Sequence, residues 1–216
     1  MATLQHIDIG IILVAVISVI ALLWCDRNHP PMEWLFKPLA SVCFVLLAMS
    51  GGAQDSTYGA LILGGLCLSV IGDLMLIPKN EKAFTFGLSA FLLAHLFYAA
   101  AFLQLPVNTY GLLMSVAPAG ILGIATVRWL YRDLPAKRVT PVFTYIVVIC
   151  LVLVAAGGTW KTGLSGWILV GAWGFAASDL SVAGQQFKQA GLRYRAWGLP
   201  LYFASQMMLA WSARLI

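Results

Sequence analysis

Eight stretches of mostly apolar residues run along this chain, separated by short polar breaks. They fall at roughly 7–24, 34–50, 58–77, 84–104, 110–130, 139–156, 164–183 and 195–214. Each approaches the ~20 residues an α-helix needs to cross the hydrocarbon core of a bilayer. The breaks have turn chemistry: RNHPPME, SGGAQDS, IPKNEK, QLPVN, RDLPAKR, AGGTWKTG and QQFKQAGLR. The runs are continuous rather than alternating, which argues against a transmembrane β-barrel. The pattern predicts an all-α, polytopic membrane protein of eight transmembrane helices, a single integral membrane domain over 1–216. The first stretch is expected to be a retained span, because MATLQHID holds no Lys or Arg and no small-residue cleavage site follows.

The pattern also repeats. Displaced by 106 residues, VLLAMSGG (45–52) falls on LVLVAAGG (151–158), and ALILGGLCLSVIGDL (60–74) falls on GWILVGAWGFAASDL (166–180). Asp73 then coincides with Asp179 without a gap. This predicts two four-helix pseudo-repeats, about 1–108 and 109–216. Four spans per half is an even number, so the halves have the same orientation, a parallel repeat.

Composition strengthens the membrane reading: 61% of residues are hydrophobic and 10% charged, against ~25% charged in an ordinary soluble domain. The net charge of +5 does not point to nucleic acid, because of where the cations lie. Of the 13 lysines and arginines, all but Lys161 and Arg214 sit in or beside the connections after spans 1, 3, 5 and 7. The positive-inside bias then makes those loops cytoplasmic and both termini external, as in a bacterial inner membrane or its equivalent. Trp34, Trp129, Trp160, Trp167, Trp197 and Trp211 fall near predicted span ends, as an aromatic belt would. The four cysteines (Cys25, Cys43, Cys67, Cys150) show no C-x-x-C spacing and read as small packing residues. The three histidines (His6, His29, His95) form no zinc signature. No metal, no cofactor and no nucleic-acid partner is expected; the partners are the bilayer and a ligand taken from it.

The candidate chemistry is in the spans. An ionisable group there is costly and by default marks function. Asp73 and Asp179 are predicted at matching depth near the same ends of spans 3 and 7, and Lys37 opens span 2 at that level. His95 and Tyr98 are three residues apart in span 4. Tyr202, Ser205 and Gln206 lie on one face of span 8. Tyr145 in span 6 is a further candidate. Each polar side chain could instead be helix–helix glue, and Lys37 a topology anchor. Two carboxyl groups sharing one buried site separate in their hold on a proton. One then serves as an acid, and the other, beside a cation such as Lys37, as a base. That suits acid-initiated hydrolysis through an oxocarbenium-like state, the logic of glycosidases.

GDLMLI, FTFGLSAFLLAHLFYAAAF, FAASDLSVAGQQF, GLPLYFASQMMLAWS and FKPLA at 36–40 together resemble the YhhN family of lysoplasmalogenases, from about residue 34 to the end. The resemblance implies hydrolysis of the vinyl ether of lysoplasmalogens to a fatty aldehyde and glycerophosphoethanolamine or glycerophosphocholine, with a lysophospholipid as substrate. It implies that Asp73 and Asp179 are the catalytic pair and that Lys37, His95, Tyr98, Tyr202 and Gln206 are pocket residues that bind substrate. Asp179 is the preferred proton donor, because Asp73 precedes the basic Lys79 and Lys82. Across the repeat Ser178 replaces Gly72, and one half alone carries an intramembrane His, so the halves are not equivalent. The alternative class is a small proton-coupled transporter. Against it, transport sites usually lie near the midplane on helices broken by Gly or Pro. A zinc-dependent lipid hydrolase would need several His ligands.

Overall fold

The computed structural model describes residues 6–28, 32–188 and 191–215. Among these residues eight α-helices follow one another: α1 (His6–Asn28), α2 (Glu33–Ser50), α3 (Thr57–Met75), α4 (Glu81–Phe102), α5 (Thr109–Leu130), α6 (Ala136–Gly158), α7 (Ser165–Phe187) and α8 (Gly191–Ser212). No strand occurs among the described residues. Seven of the helices are long and apolar enough to cross a membrane. The exception is α8, whose first turns carry Arg193 and Arg195 and whose later turns carry Tyr202, Ser205 and Gln206. His29 and much of the RNHPPME break lie outside the described residues, as do Gln189 and Ala190 of QQFKQAGLR; the side chains of Cys25 and Arg27 also lie outside.

Helix starts follow local capping chemistry. The side chains of Ser56, Asn80 and Asn108 accept hydrogen bonds from the backbone N–H of Gly59, Ala83 and Gly111 at 3.0, 2.9 and 2.9 Å. Each satisfies one of the orphan donors at the start of α3, α4 and α5. The chain leaves α2 through Gly52, whose φ of 79° favours glycine. The boundary difference that bears on the site is in α7, which continues past the anticipated end at 183 to Phe187. The residues AGQQF hold nothing that stops a helix, and Gln185 folds its amide back onto the Ser181 carbonyl at 3.3 Å.

The helices pair as hairpins, α1 with α2, α3 with α4, α5 with α6 and α7 with α8, and α2, α3 and α8 pack together as α4, α6 and α7 do. The main core runs through both halves, built on residues such as Phe44, Leu66, Phe102, Leu153, Phe175 and Leu209. Outward faces keep large apolar residues exposed, among them Leu13, Ile121, Ile124 and Leu151, as lipid requires. Small residues let backbones approach. A Cβ on Gly72 would stand 2.7 Å from the ring of Phe91 on α4, so only glycine fits beside Asp73 there.

At the end of the bundle opposite the basic loops, Arg214 forks onto Asp8 at 2.5 and 2.8 Å, and the Ser50 hydroxyl donates to the same carboxylate at 2.9 Å. Asp8 is fully buried, and the guanidinium lies over the Trp211 ring at 4.7 Å. This cluster ties α1, α2 and the C-terminal segment together. Removing one partner of such a pair leaves a buried charge uncompensated, at about 3–5 kcal/mol. Asp8→Ala is therefore expected to lower the thermal midpoint sharply in detergent, and Asp8→Ala/Arg214→Leu to recover part of the loss. A single variant as stable as the wild type would contradict the account.

Candidate active site

The two aspartates meet in one cavity at the end of the bundle that carries the basic loops. Asp73 lies in the last turn of α3. Asp179 is about two turns inside α7, deeper in its helix than expected because α7 runs on to Phe187. Both line a cavity of about 620 Å³, together with Lys37 and Tyr202. The exposed Lys79 and the ion pair of Arg195 with the buried Glu33, at 2.7 Å, also line it.

Asp73 is 2% exposed and surrounded by donors. The hydroxyls of Ser41 and Tyr202 donate to Oδ2 at 2.6 and 2.7 Å, and Lys37 Nζ stands 3.5 Å from Oδ1. Lys37 and Ser41 are four residues apart in α2, so one helix face delivers both. Asp179 has a different surrounding. Tyr145 donates its hydroxyl to Oδ2 at 3.0 Å, and His95 Nε2 stands 3.6 Å from the same oxygen. His95 is held on its other side by Nδ1, 2.8 Å from the Phe91 carbonyl one turn back, and its ring stacks on Phe175 with centroids 4.3 Å apart. Each aspartate thus takes its partners from the helix before it, α2 (Lys37 and Ser41) or α6 (Tyr145), and from the last helix of the opposite half, α8 or α4.

The structure brings Lys37 and Tyr202 to Asp73, and His95 to Asp179. It does not bring Tyr98 and Gln206 to the cavity wall. Tyr98 donates to Gln206 Oε1 at 2.7 Å, Gln206 donates to the Ser69 hydroxyl at 3.1 Å, and Ser69 and Tyr98 close the triangle at 3.3 Å. All three are buried and satisfy one another, so they join α3, α4 and α8 behind the aspartates. His95 also lies behind the wall. Ser41 was not anticipated; the signal available was its four-residue spacing from Lys37. Tyr145, anticipated as a lesser candidate, is a direct partner of Asp179. Among the described residues no group of three His, Cys, Asp or Glu side chains comes together.

A second space adjoins the first. It is a slot of about 70 Å³ between α4, α5, α6 and α7, walled by apolar side chains such as Leu88, Leu122, Ile146 and Ala183. Slot and cavity share Leu76, Phe84, Phe91, Val182 and Asp179, and among the described residues Asp179 is the one ionisable residue common to both. Gly123, Ile146 and Cys150 line the slot and also an apolar groove on the outer face between α5 and α6. A polar cavity, a carboxyl group, an apolar slot and an apolar outer groove therefore adjoin one another.

These features define a multi-span helical membrane protein in which two aspartates line one cavity among the helix ends. The chain belongs to the YhhN family, whose family model matches residues 32–213. It is 29% identical to a Bos taurus protein named lysoplasmalogenase TMEM86A, over 88% of this chain and 82% of the relative. It is 30% identical to a Sus scrofa protein named lysoplasmalogenase TMEM86B, over 90% of this chain and 81% of the relative. A Mycobacterium tuberculosis protein named lysoplasmalogenase is 33% identical over 70% of this chain and 59% of that protein. No solved structure matches the chain.

The Ser69–Tyr98–Gln206 triangle predicts a stability effect. Gln206→Leu leaves the buried Tyr98 and Ser69 hydroxyls only each other, at 3.3 Å, and is expected to cost about 1–3 kcal/mol of stability, read as a lower thermal midpoint. A variant with unchanged stability and altered ligand affinity would instead put Gln206 on the wall.

Proposed function

We propose that this protein hydrolyses the vinyl ether of lysoplasmalogens, releasing a fatty aldehyde and glycerophosphoethanolamine or glycerophosphocholine. The observation that carries the reading is the meeting of the polar cavity and the apolar slot at Asp179. A lysolipid has the same two-part form. Its headgroup suits the chamber of Glu33, Lys79 and Arg195, its chain the slot and the groove beyond, and its first linkage then falls beside the carboxyl groups. The names of the mammalian and mycobacterial relatives support the same substrate class.

The chemistry follows from the substrate. A vinyl ether resists base and nucleophiles and opens when its β-carbon takes a proton. A carboxylic acid gives up its O–H proton, the double-bond electrons form the new C–H bond, and an oxocarbenium ion remains. Water adds to that carbon, and its proton passes to the other carboxylate, giving a hemiacetal. In the collapse the C–O bond to glycerol breaks. The proton just taken moves to the glycerol oxygen, and the hemiacetal hydroxyl proton returns to the first carboxylate. One water is consumed and both groups end as they began. Asp73 and Asp179 supply the two carboxyl groups, with Lys37, Ser41, Tyr202 and Tyr145 holding them in place. The positive-inside bias puts the cavity opening on the cytoplasmic side and both termini outside.

The test is fatty-aldehyde release from lysoplasmenylethanolamine by purified protein in detergent. The wild type is expected to release aldehyde in the presence of a chelator. Asp73→Asn and Asp179→Asn are each expected to lose about 10²–10⁴-fold in kcat. A folded wild type that releases none would sink the proposal. A second arm fills the slot: Ala183→Phe is expected to raise KM for long-chain substrates while leaving short-chain analogues nearly untouched, and equal effects on both would remove the slot from the account.

A further inference from the structure

The surroundings of the two aspartates differ in a way that divides their roles. The Phe91 carbonyl can only accept, so the His95 nitrogen 2.8 Å from it, Nδ1, carries a hydrogen. In a neutral ring Nε2 then presents a lone pair. That lone pair is buried, without a hydrogen-bond partner, and faces Asp179 Oδ2 at 3.6 Å. If Asp179 were ionised, two acceptors would confront each other in a site where burial makes an unmade hydrogen bond costly. No lysine or arginine among the described residues forms an ion pair with Asp179. From the packed helices it meets Tyr145 of α6 and His95 of α4; Tyr202 of α8 is engaged at Asp73, and Tyr98 at Gln206. Asp73 is the opposite case, with two hydroxyl donors on one oxygen and an ammonium beside the other. Donors crowd Asp73 and an acceptor waits for Asp179.

We propose that His95 is the positioning residue of the acid: Asp179 rests as a carboxylic acid whose O–H is directed at His95 Nε2, and Asp73 rests as the carboxylate. The role in turnover deepens the proposed hydrolysis and rests on it, whereas the resting proton is a property of the protein alone. A small rotation of the carboxyl group closes the gap to hydrogen-bond length. His95 then holds the proton-bearing oxygen until substrate fills the slot, when the O–H turns to the β-carbon. Asp73 takes the proton of the attacking water. When the hemiacetal collapses, its hydroxyl proton returns to Asp179. His95 never touches substrate and is neither consumed nor charged, and Ser41, Tyr202 and Lys37 keep Asp73 ionised at the start of each cycle.

The resting proton is read without substrate by infrared spectroscopy of the wild type in lipid. A protonated carboxyl band is expected above the amide region. It should vanish in Asp179→Asn, persist in Asp73→Asn, and shift in His95→Phe, which keeps the ring stack on Phe175 but removes the lone pair. Absence of the band, its loss with Asp73 instead, or indifference to His95→Phe would each overturn the assignment. The wild-type and Asp179→Asn spectra decide where the resting proton lies even where His95→Phe fails to fold. In turnover, His95→Phe is expected to lower kcat about 10–100-fold with KM within about twofold, the pattern of a group that acts in the transition state; a raised KM at constant kcat would return His95 to substrate binding. A wild type that hydrolyses no lysoplasmalogen leaves the infrared result standing, so the two failures are separable.

Discussion

A carboxylate carried into a helical membrane bundle has no bulk water to solvate it, and every oxygen must find its donors among neighbouring helices. That constraint organises this structure. Asp73 draws Lys37 and Ser41 from α2 and Tyr202 from α8, so three helices converge on one side chain. Asp179 draws Tyr145 from α6 and faces His95 from α4. Gly72, with no side chain of its own, lets α3 and α4 close up beside the first of these clusters. The Ser69–Tyr98–Gln206 triangle braces α3, α4 and α8 just behind. The aspartates are therefore both the reactive groups of the proposed chemistry and the points at which helix positions are fixed.

The two spaces around them match an amphiphile because they solve opposite problems. The larger cavity is lined by charged and amide side chains at helix ends, among them the Arg195–Glu33 pair and the exposed Lys79. The slot is walled by residues that would otherwise face lipid, and it is narrow because α4, α5, α6 and α7 nearly close over it. A soluble enzyme would have to build such an apolar wall against water. In a membrane the wall is the ordinary outer surface of the helices, interrupted at Gly123, Ile146 and Cys150.

Much of this is legible in the sequence. The spans show as continuous apolar runs, and turn residues locate the ends of most helices to within a few positions. The two aspartates stand out because a charge inside such a run is rare. Periodicity placed His95 with Tyr98, and Tyr202 with Gln206, on single helix faces. It could not say which neighbour each face meets, and so Tyr98 and Gln206, expected at the pocket, turn towards each other. Ser41 is silent in the sequence because serine is common in packed membrane helices, and its role depends on a contact with Asp73, in the following helix. The Asp8–Arg214 cluster joins residues at opposite ends of the chain, and no local pattern announces a pairing of that span.

The exchange of partners between halves has an evolutionary meaning. Asp73 depends on Tyr202 from the second half, and Asp179 on His95 from the first. A single four-helix unit would leave its carboxylate half-solvated by protein. If the two halves descend from one such unit, the ancestor was obliged to work as a dimer with two identical carboxylates, each served by its neighbour. Fusion into one chain would then have freed the two to diverge, with lysine and tyrosine gathered around one and histidine beside the other.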